Sequence, residues 1–171
     1  KVEINSPKDA VRLGLSYLSE DRKRFGLMLK KDIVENSTIA TLHEYSSAGF
    51  IDKPGEKQAA QKYVDTLRTK TPTLEQLVMD LSGGNQQKVV IAKWLVNNSQ
   101  IMIFDEPTRG IDVGAKQEIY ELMNSLARAG KSIIMISSEL VEILRMSDRV
   151  LVMCEGRKTA EFDISEATQE K

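Results

Sequence analysis

The strongest constraint on the fold is a pair of continuous apolar segments, IMIF at residues 101–104 and SIIMI at residues 132–136. Neither segment alternates polar with apolar residues, which is typical of strands buried on both faces of a parallel sheet. Between them, apolar residues recur at helical spacing, and Gly130 follows as a C-terminal stop. The sequence therefore predicts a strand-helix-strand unit with two parallel strands and a right-handed crossover.

Flanking segments extend this unit into an α/β fold. Ser6 followed by Pro7 is a favourable helix start. The apolar run GLSYLSE comes next and predicts a strand that ends at Glu20. Near the other end of the chain, RVLVMC and RKTAEFD flank Glu155-Gly156, which predicts a β-hairpin.

Residues 31–96 differ in character, because they predict helices only. One apolar stripe at helical spacing consists of Ala59, Ala60, Tyr63, Val64 and Leu67. Thr73 and Gln76 fit a capping box at the start of a further helix. We therefore expect a helical subdomain in this part of the chain.

Charge and cysteine content narrow the function classes. The net charge of −1 provides no general basic field of the kind that nucleic-acid binding needs. We interpret the run at residues 21–24, DRKR, as a solvated loop, with a small anion-binding patch as the alternative. The single cysteine, Cys154, excludes an internal disulfide, and its apolar neighbours predict a buried, unreactive thiol.

The chain shows neither an apolar stretch of membrane-spanning length nor a signal peptide, which favours a cytosolic setting. It does not begin with methionine, and a helix predicted after Ser165 has little sequence left to complete it. We therefore expect the chain to be a piece of a longer protein.

The segment LSGGNQQK at residues 81–88 has the features of an anion-binding turn. Glycines allow backbone N–H groups to approach an anion closely, and a helix N-terminus offers unpaired donors with partial positive charge. Ser82 is placed to cap the helix that follows. The pattern fits equally well a glycine-containing loop that simply leads into a helix.

Two adjacent carboxylates, Asp105 and Glu106, follow the first buried strand. Carboxylates near an apolar interior need compensation, which a divalent cation commonly provides. Neighbouring residues on a strand point to opposite faces, so one carboxylate could hold Mg²⁺ while the other orients water. Helix capping and surface solvation remain the alternative interpretation.

Taken in this order, LSGGNQQKV, IMIFDEP and residues 109–112 resemble the signature loop, the Walker B strand and the D-loop of ATP-binding-cassette (ABC) ATPases. The strings SEDRK, DEPTRGIDVGAK and MSDRVLVMCEG are similar to the second cassette of tandem ATPase subunits in bacterial monosaccharide importers for ribose, galactosides, xylose and related sugars. The resemblance implies a P-loop-NTPase-like α/β fold, in which a partial parallel sheet is flanked by helices. Residues 1–30 and 97–171 would belong to the RecA-like lobe, and residues 31–96 to an inserted all-helical subdomain that carries the signature loop.

The resemblance also implies roles for particular residues. In this family the signature loop closes over an ATP that another cassette holds, so Ser82, Gly83 and Gly84 would contact its γ-phosphate, with Gln86 nearby. Within the cassette's own site, Asp105 would hold Mg²⁺ and Glu106 would be the catalytic carboxylate. Asp112 would lie at the junction of the two cassettes.

Three departures from the family pattern bear on activity. Glu20 occupies the position of the Q-loop glutamine, and Ser138 that of the switch histidine. His43, the sole histidine, does not align with the switch position, and a hydroxyl carries no positive charge at neutral pH. The P-loop is missing, and the GKS string at residues 130–132 links a helix to a strand, so we interpret it as a helix stop.

The partners that the resemblance implies are a first cassette in the same or a second ATPase subunit, membrane-spanning permease subunits and, indirectly, a periplasmic sugar-binding protein. Such a subunit would lie peripherally on the cytoplasmic side of the membrane and bind ATP and Mg²⁺. Two alternatives are a DNA-repair or chromosome-maintenance ATPase, and a degenerate cassette that acts in dimerisation or regulation. The first is disfavoured because the segment between Glu20 and Leu81 holds no sustained heptads.

Overall fold

The computed structural model describes residues 2–168 as a three-stranded parallel sheet, a layer of helices and two small antiparallel pairs. The helices are α1 (Pro7–Arg12), α2 (Ile33–Thr38), α3 (Lys53–Thr66), α4 (Gly83–Val96), α5 (Val113–Arg128) and α6 (Leu140–Met146). The strands are β1 (Leu15–Leu18), β2 (Ser46–Ser47), β3 (Phe50–Ile51), β4 (Ile101–Asp105), β5 (Ser132–Ile136), β6 (Arg149–Cys154) and β7 (Arg157–Asp163). A π-helical turn covers Arg22–Gly26, and 3-10 helices cover Ile39–Tyr45 and Val78–Asp80. Within the described range, the helices fall short of the length and apolar character needed to cross a bilayer.

The central sheet has the strand order β1-β4-β5, with both pairs parallel. Phe104 of β4 pairs with Leu18 of β1 on one side and with Met135 of β5 on the other. The strand-helix-strand prediction is therefore confirmed, with α5 as the crossover. The carboxyl ends of these strands meet at one edge of the sheet, where open α/β sheets bind ligands.

The prediction that SIIMI is buried on both faces is wrong. Ile134 and Ile136 are about half exposed, whereas Ile133 and Met135 pack against the core. Strand β5 ends the described sheet, and within residues 2–168 only one of its faces is covered. A continuous apolar run therefore indicates what a strand could bury, and the surrounding elements decide which face is covered.

Helix α4 joins two hydrophobic clusters. Its residues Val90, Ile91 and Leu95 pack in the larger cluster with the sheet and α5, while Val89 belongs to the smaller cluster with α2 and α3. Fully burying an aliphatic side chain contributes about 1.5–3 kcal/mol. The start of α4 is therefore anchored from two sides.

The helical region agrees with the sequence in its main elements. Ala60 and Val64 of α3 are buried, as the apolar stripe predicts. Two details are wrong: β2 and β3 form a short antiparallel pair among the helices, and no helix begins at Thr73. The N–H of Gln76 instead donates to the carbonyl of Thr73 in a turn before the 3-10 helix. The division into residues 31–96 and the rest stays a prediction.

The predicted hairpin is present as β6 and β7, with a register shift between Val152 and Met153. The prediction of a buried thiol is wrong, because Cys154 is exposed. Among the described residues the hairpin forms a separate two-stranded sheet, and Met153 beside Cys154 is exposed too. Residues 164–166 form a turn rather than the start of a helix, and residues 169–171 of that predicted helix lie outside the described range.

Candidate functional site

The LSGG loop leads directly into the N-terminus of α4. Ser82 is the N-cap residue, and its hydroxyl accepts hydrogen bonds from Asn85 N–H at 3.5 Å and from Asn85 Nδ2 at 3.0 Å. Ser82 is exposed. The first backbone N–H groups of a helix have no partner within the helix and carry partial positive charge. The loop therefore presents a hydroxyl and helix-end donors to an outside anion.

Both glycines of the loop are also required by packing. A Cβ on Gly84 would lie 2.8 Å from the Cβ of Ala115 on α5. A Cβ on Gly83 would lie 2.7 Å from Nη2 of Arg22 and 3.1 Å from the carbonyl oxygen of Gly110. The glycines therefore allow α4 to approach α5 and the loop before it, whether or not an anion is bound.

The side chain of Gln86 is directed into the interior. It is 4 % exposed, its Nε2 donates to the carbonyl of Val78 at 3.1 Å, and its Oε1 accepts from Nε of Arg22 at 3.4 Å. These contacts hold the start of α4 against neighbouring segments. Surface donors at the loop thus come from the residues before Gln86.

Asp105 and Glu106 lie at the carboxyl end of β4 and have separate partners. Asp105 Oδ2 accepts from the hydroxyl of Tyr17 at 2.5 Å, a hydrogen bond that raises the pKa of Tyr17. Glu106 has a left-handed backbone conformation with φ of 47°, uncommon for a residue with a side chain. Such strain is frequent at functional sites.

The backbone around Glu106 links β4 to the loop after β5. Its N–H donates to the carbonyl of Ile136 at 2.9 Å, and its Oε1 accepts from the N–H of Ser138 at 2.7 Å. Ser138 is exposed and offers a neutral hydroxyl. The structure therefore brings the Glu106 and Ser138 positions together at one end of the sheet.

Glu20 and Asp112 are both engaged in contacts within the chain. Glu20 forms an ion pair with Arg109 in the loop after β4. Asp112 is the N-cap residue of α5, where its carboxylate accepts from the N–H of Ala115 at 2.9 Å. Since Ala115 also contacts Gly84, the cap of α5 fixes the surface on which the LSGG loop rests.

Sequence reasoning missed a buried carboxylate, Glu142 on α6, which is 4 % exposed. It accepts hydrogen bonds from four side chains on three segments, namely Thr108, Lys116, Tyr120 and Ser137. Burial opposes ionisation, but these donors outweigh it and lower the pKa of Glu142. Glu142 is one of the polar residues of a short helix, and nothing in the local sequence indicates that its side chain is buried.

Arg22 was also misassigned, because only its neighbours in the DRKR run are solvated. Arg22 is 9 % exposed and donates to the carbonyls of Arg109 at 2.9 Å and Gly110 at 3.3 Å. Burial lowers its pKa. The guanidinium lies between the LSGG loop and the loop after β4, and neither composition nor spacing distinguishes it from Lys23 and Arg24.

The sequence profile described as ABC transporter matches residues 2–109. The chain belongs to the ABC transporter family. The LSGG loop, Asp105 and Glu106 all lie within the matched residues.

Relatives within the family are sugar import ATP-binding proteins by name. The chain is 57 % identical over 171 residues to the xylose import ATP-binding protein XylG of Thermoanaerobacter pseudethanolicus, covering 100 % of the chain and 34 % of that protein. It is 49 % identical over 169 residues to the ribose import ATP-binding protein RbsA of Rhodopirellula baltica, covering 99 % of the chain and 33 % of that protein. The chain spans about a third of the length of the curated relatives it matches.

Solved ABC cassettes share the fold. One is a dimeric cassette in a post-hydrolysis state bound to ADP and Pi, with a TM-score of 0.74, 20 % identity, and coverage of 93 % of this chain and 68 % of that one. Another is a nucleotide-free ATP-binding cassette from an ABC transporter, with a TM-score of 0.74, 21 % identity, and coverage of 92 % and 64 %. The predicted α/β cassette fold is therefore confirmed.

The donors among the described residues fit a phosphate group and one ligand of a metal ion. Residues 2–168 contain no group of three or more His, Cys, Asp and Glu side chains that could hold a metal ion. Mg²⁺ at nucleotide sites commonly takes one or two carboxylates together with phosphate oxygens and water, so Asp105 suits one such ligand. The LSGG loop, with its hydroxyl and helix-end donors, suits a phosphate.

Proposed function

We propose that the chain is part of an ATP-hydrolysing subunit that energises import of a monosaccharide, and that it contributes the signature loop to an ATP site shared with another cassette. The observation that carries this proposal is the start of α4, where the exposed Ser82 and the half-buried Gly83 offer donors on an anchored helix. The xylose and ribose import relatives support the transport role. The identity of the sugar belongs to other subunits.

The signature loop would act on the γ-phosphate of an ATP bound by the other cassette. The hydroxyl of Ser82 can donate to a phosphate oxygen, and the N–H groups at Gly83 and Gly84 lie at the positive end of α4. Asp112, at the start of α5, would face the junction between the cassettes. Closure would therefore need both nucleotide and partner.

The chain's own half-site, which contains Asp105 and Glu106, would hydrolyse ATP more slowly than the site that the other cassette holds. Asp105 would hold Mg²⁺, which neutralises charge on the phosphates when bound. Glu106 would orient the attacking water, but the neighbouring switch position holds Ser138, a neutral side chain. Glu20 at the Q-loop position is paired with Arg109. We therefore infer one competent and one impaired ATP site in the whole subunit.

The proposed partners follow from this arrangement. They are the first cassette of the same or a second ATPase subunit, the membrane-spanning permease subunits, and, through the permease, a periplasmic sugar-binding protein. The helical region would dock on the permease, which places the subunit peripherally on the cytoplasmic side of the membrane. Nucleic acid is not a proposed partner, because the net charge is −1.

The chain alone should bind ATP weakly. A helix N-terminus contributes about 0.3–2 kcal/mol to anion binding, whereas millimolar affinity requires about 4 kcal/mol. Calorimetric titration with Mg-ATP should give little heat for the chain alone, and heat with hydrolysis once the first cassette is added. Tight binding by the chain alone would contradict the shared-site proposal.

A matched pair of cap variants tests the signature loop in the full-length subunit. Ser82→Phe places a bulky side chain in the signature loop, while Ser6→Phe makes the same change at the N-cap of α1. Each variant loses a cap worth about 1 kcal/mol. Only Ser82→Phe should abolish sugar uptake, and normal uptake in that variant contradicts the proposal.

A degenerate, non-catalytic cassette is the second candidate, favoured by the neutral Ser138 beside Glu106. Glu106→Gln in the full-length subunit discriminates between the two candidates. A non-catalytic cassette predicts unchanged ATP turnover, whereas residual hydrolysis at the impaired half-site predicts a partial loss.

A further inference from the structure

We infer that Arg22 is a positioning residue that fastens the signature loop to the D-loop and sets how strongly the closed site prefers ATP to ADP. This inference deepens the proposed function and rests on it. Arg22 follows the Q-loop position but belongs to neither of the two loops that it joins.

The contacts of Arg22 reach two separate segments. Its Nη1 donates to the carbonyl of Arg109 at 2.9 Å, and its Nη2 donates to the carbonyl of Gly110 at 3.3 Å. Its Nε donates to Oε1 of Gln86 in the first turn of α4 at 3.4 Å. One rigid, forked side chain therefore holds the start of α4 and the D-loop in a fixed relation.

Gly83 rests directly on this guanidinium. A Cβ at Gly83 would lie 2.7 Å from Nη2 of Arg22 and 3.1 Å from the carbonyl of Gly110, so the three groups are packed together. Gly110 itself has a φ of 66°, which favours glycine. The position of the signature loop is thus determined by Arg22 as well as by α4.

Arg22 forms no direct ion pair among the residues the structure describes, and the carboxylate whose charge acts on it is that of its neighbour Asp21. Its acceptors are two backbone carbonyls and one amide, which are neutral. A buried charge that is not directly paired extends its field to nearby groups. The charge of Arg22 therefore adds to the positive potential at the N-terminus of α4, next to Gly83.

This arrangement distinguishes ATP from ADP in a shared site. The signature loop would meet only the γ-phosphate, which ADP lacks, while the P-loop of the other cassette would hold both nucleotides. Removing the guanidinium group of Arg22 should therefore raise KM for ATP and leave ADP binding unchanged. A general loss of folding would affect both nucleotides.

The test uses the full-length subunit and compares Arg22→Met and Arg22→Lys with the same changes at Arg24. Arg24 is exposed on the same π-helical turn and lies 5.0 Å from the ring of Phe25. The measured quantities are KM and kcat for ATP hydrolysis, the inhibition constant of ADP, and Tm. Arg22→Met should raise KM for ATP about ten-fold, the usual scale for losing one charge-assisted hydrogen bond. The inhibition constant of ADP should stay within about two-fold.

Arg22→Lys keeps the charge but loses the planar guanidinium group. Its KM for ATP should lie between those of the wild type and Arg22→Met. The Arg24 variants should leave all three kinetic constants unchanged. Equal effects on ATP and ADP, or no effect on ATP, would overturn the inference. If Arg22→Met does not fold, Arg22→Lys decides by the same criterion. Absence of ATP hydrolysis in the wild-type subunit would instead refute the proposed function, and the Arg22 role with it.

Discussion

Replacing Glu142 with alanine should be among the most destabilising single changes in the chain. Its carboxylate is 4 % exposed and holds together α6, α5, the turn after β4 and the loop after β5. The Thr108 and Tyr120 hydroxyls lie 2.5 Å from its Oε1 and are themselves buried. Glu142→Ala would leave both hydroxyls and one Lys116 contact without their acceptor.

The expected magnitude follows from these partners. Removing one member of a buried, hydrogen-bonded charge network costs about 3–5 kcal/mol. That loss is large compared with a total stability of about 5–15 kcal/mol for a typical domain. Glu142→Gln keeps the shape and one acceptor oxygen, so it should cost roughly half as much as Glu142→Ala.

The assay is urea unfolding followed by the fluorescence of Trp94, the sole tryptophan, which packs against the larger core cluster. The matched control is Glu139→Ala, because Glu139 also pairs with Lys116 but its side chain is 54 % exposed. The control should cost less than about 1 kcal/mol. Equal effects of the two alanine variants would refute the assignment of Glu142 as the centre of the network.

The same network predicts a pH dependence. The folded-state pKa of Glu142 is lowered, because its hydrogen-bond donors outweigh the opposing effect of burial. Its contribution to stability is therefore present above the ordinary pKa of glutamate and is lost as pH falls through the folded-state pKa. The difference in unfolding free energy between wild type and Glu142→Ala should shrink on acidification. A difference that stays constant down to low pH contradicts this account.

Three further predictions concern other parts of the chain. Burial lowers the pKa of Lys93 to about 8, so urea unfolding should show wild type gaining about 3 kcal/mol relative to Lys93→Met as pH rises from about 8 to 10.5. A difference that does not change with pH would contradict the burial of this ammonium group. Gly84→Ala should lower the free energy of unfolding by about 1–3 kcal/mol through overpacking on Ala115. Adding Ala115→Gly should restore part of this loss, and strictly additive losses would argue against the contact. Cys154 is exposed and should react with a thiol reagent in the native chain as fast as in urea, and strong protection would contradict its exposure.

Much of the fold could be predicted because its signals are local. The apolar runs of β4 and β5, the helical spacing of α5 and the stop at Gly130 each depend on residues close together in sequence. The cap at Ser82 is equally local. These signals placed the LSGG turn directly before α4 and the Asp105–Glu106 pair at the carboxyl end of β4.

Exposure was harder to predict, because it depends on what covers a segment. The apolar residues of β5 and β6 suggested burial, yet Ile134 and Cys154 are not buried. Strand β5 ends the described sheet, and β6 pairs only with β7. Hydrophobic pattern alone does not report whether a second layer is present.

By itself, the sequence determined the parallel β4-α5-β5 unit, the β6-β7 hairpin and the family-specific motifs, since these follow from short-range spacing. Only the tertiary structure decided that Arg22 is buried while Lys23 and Arg24 are solvated. The acceptors of Arg22 in the D-loop lie 87 and 88 residues away in sequence. Burial of a charged side chain depends on which distant backbone groups approach it, and no local pattern contains that information.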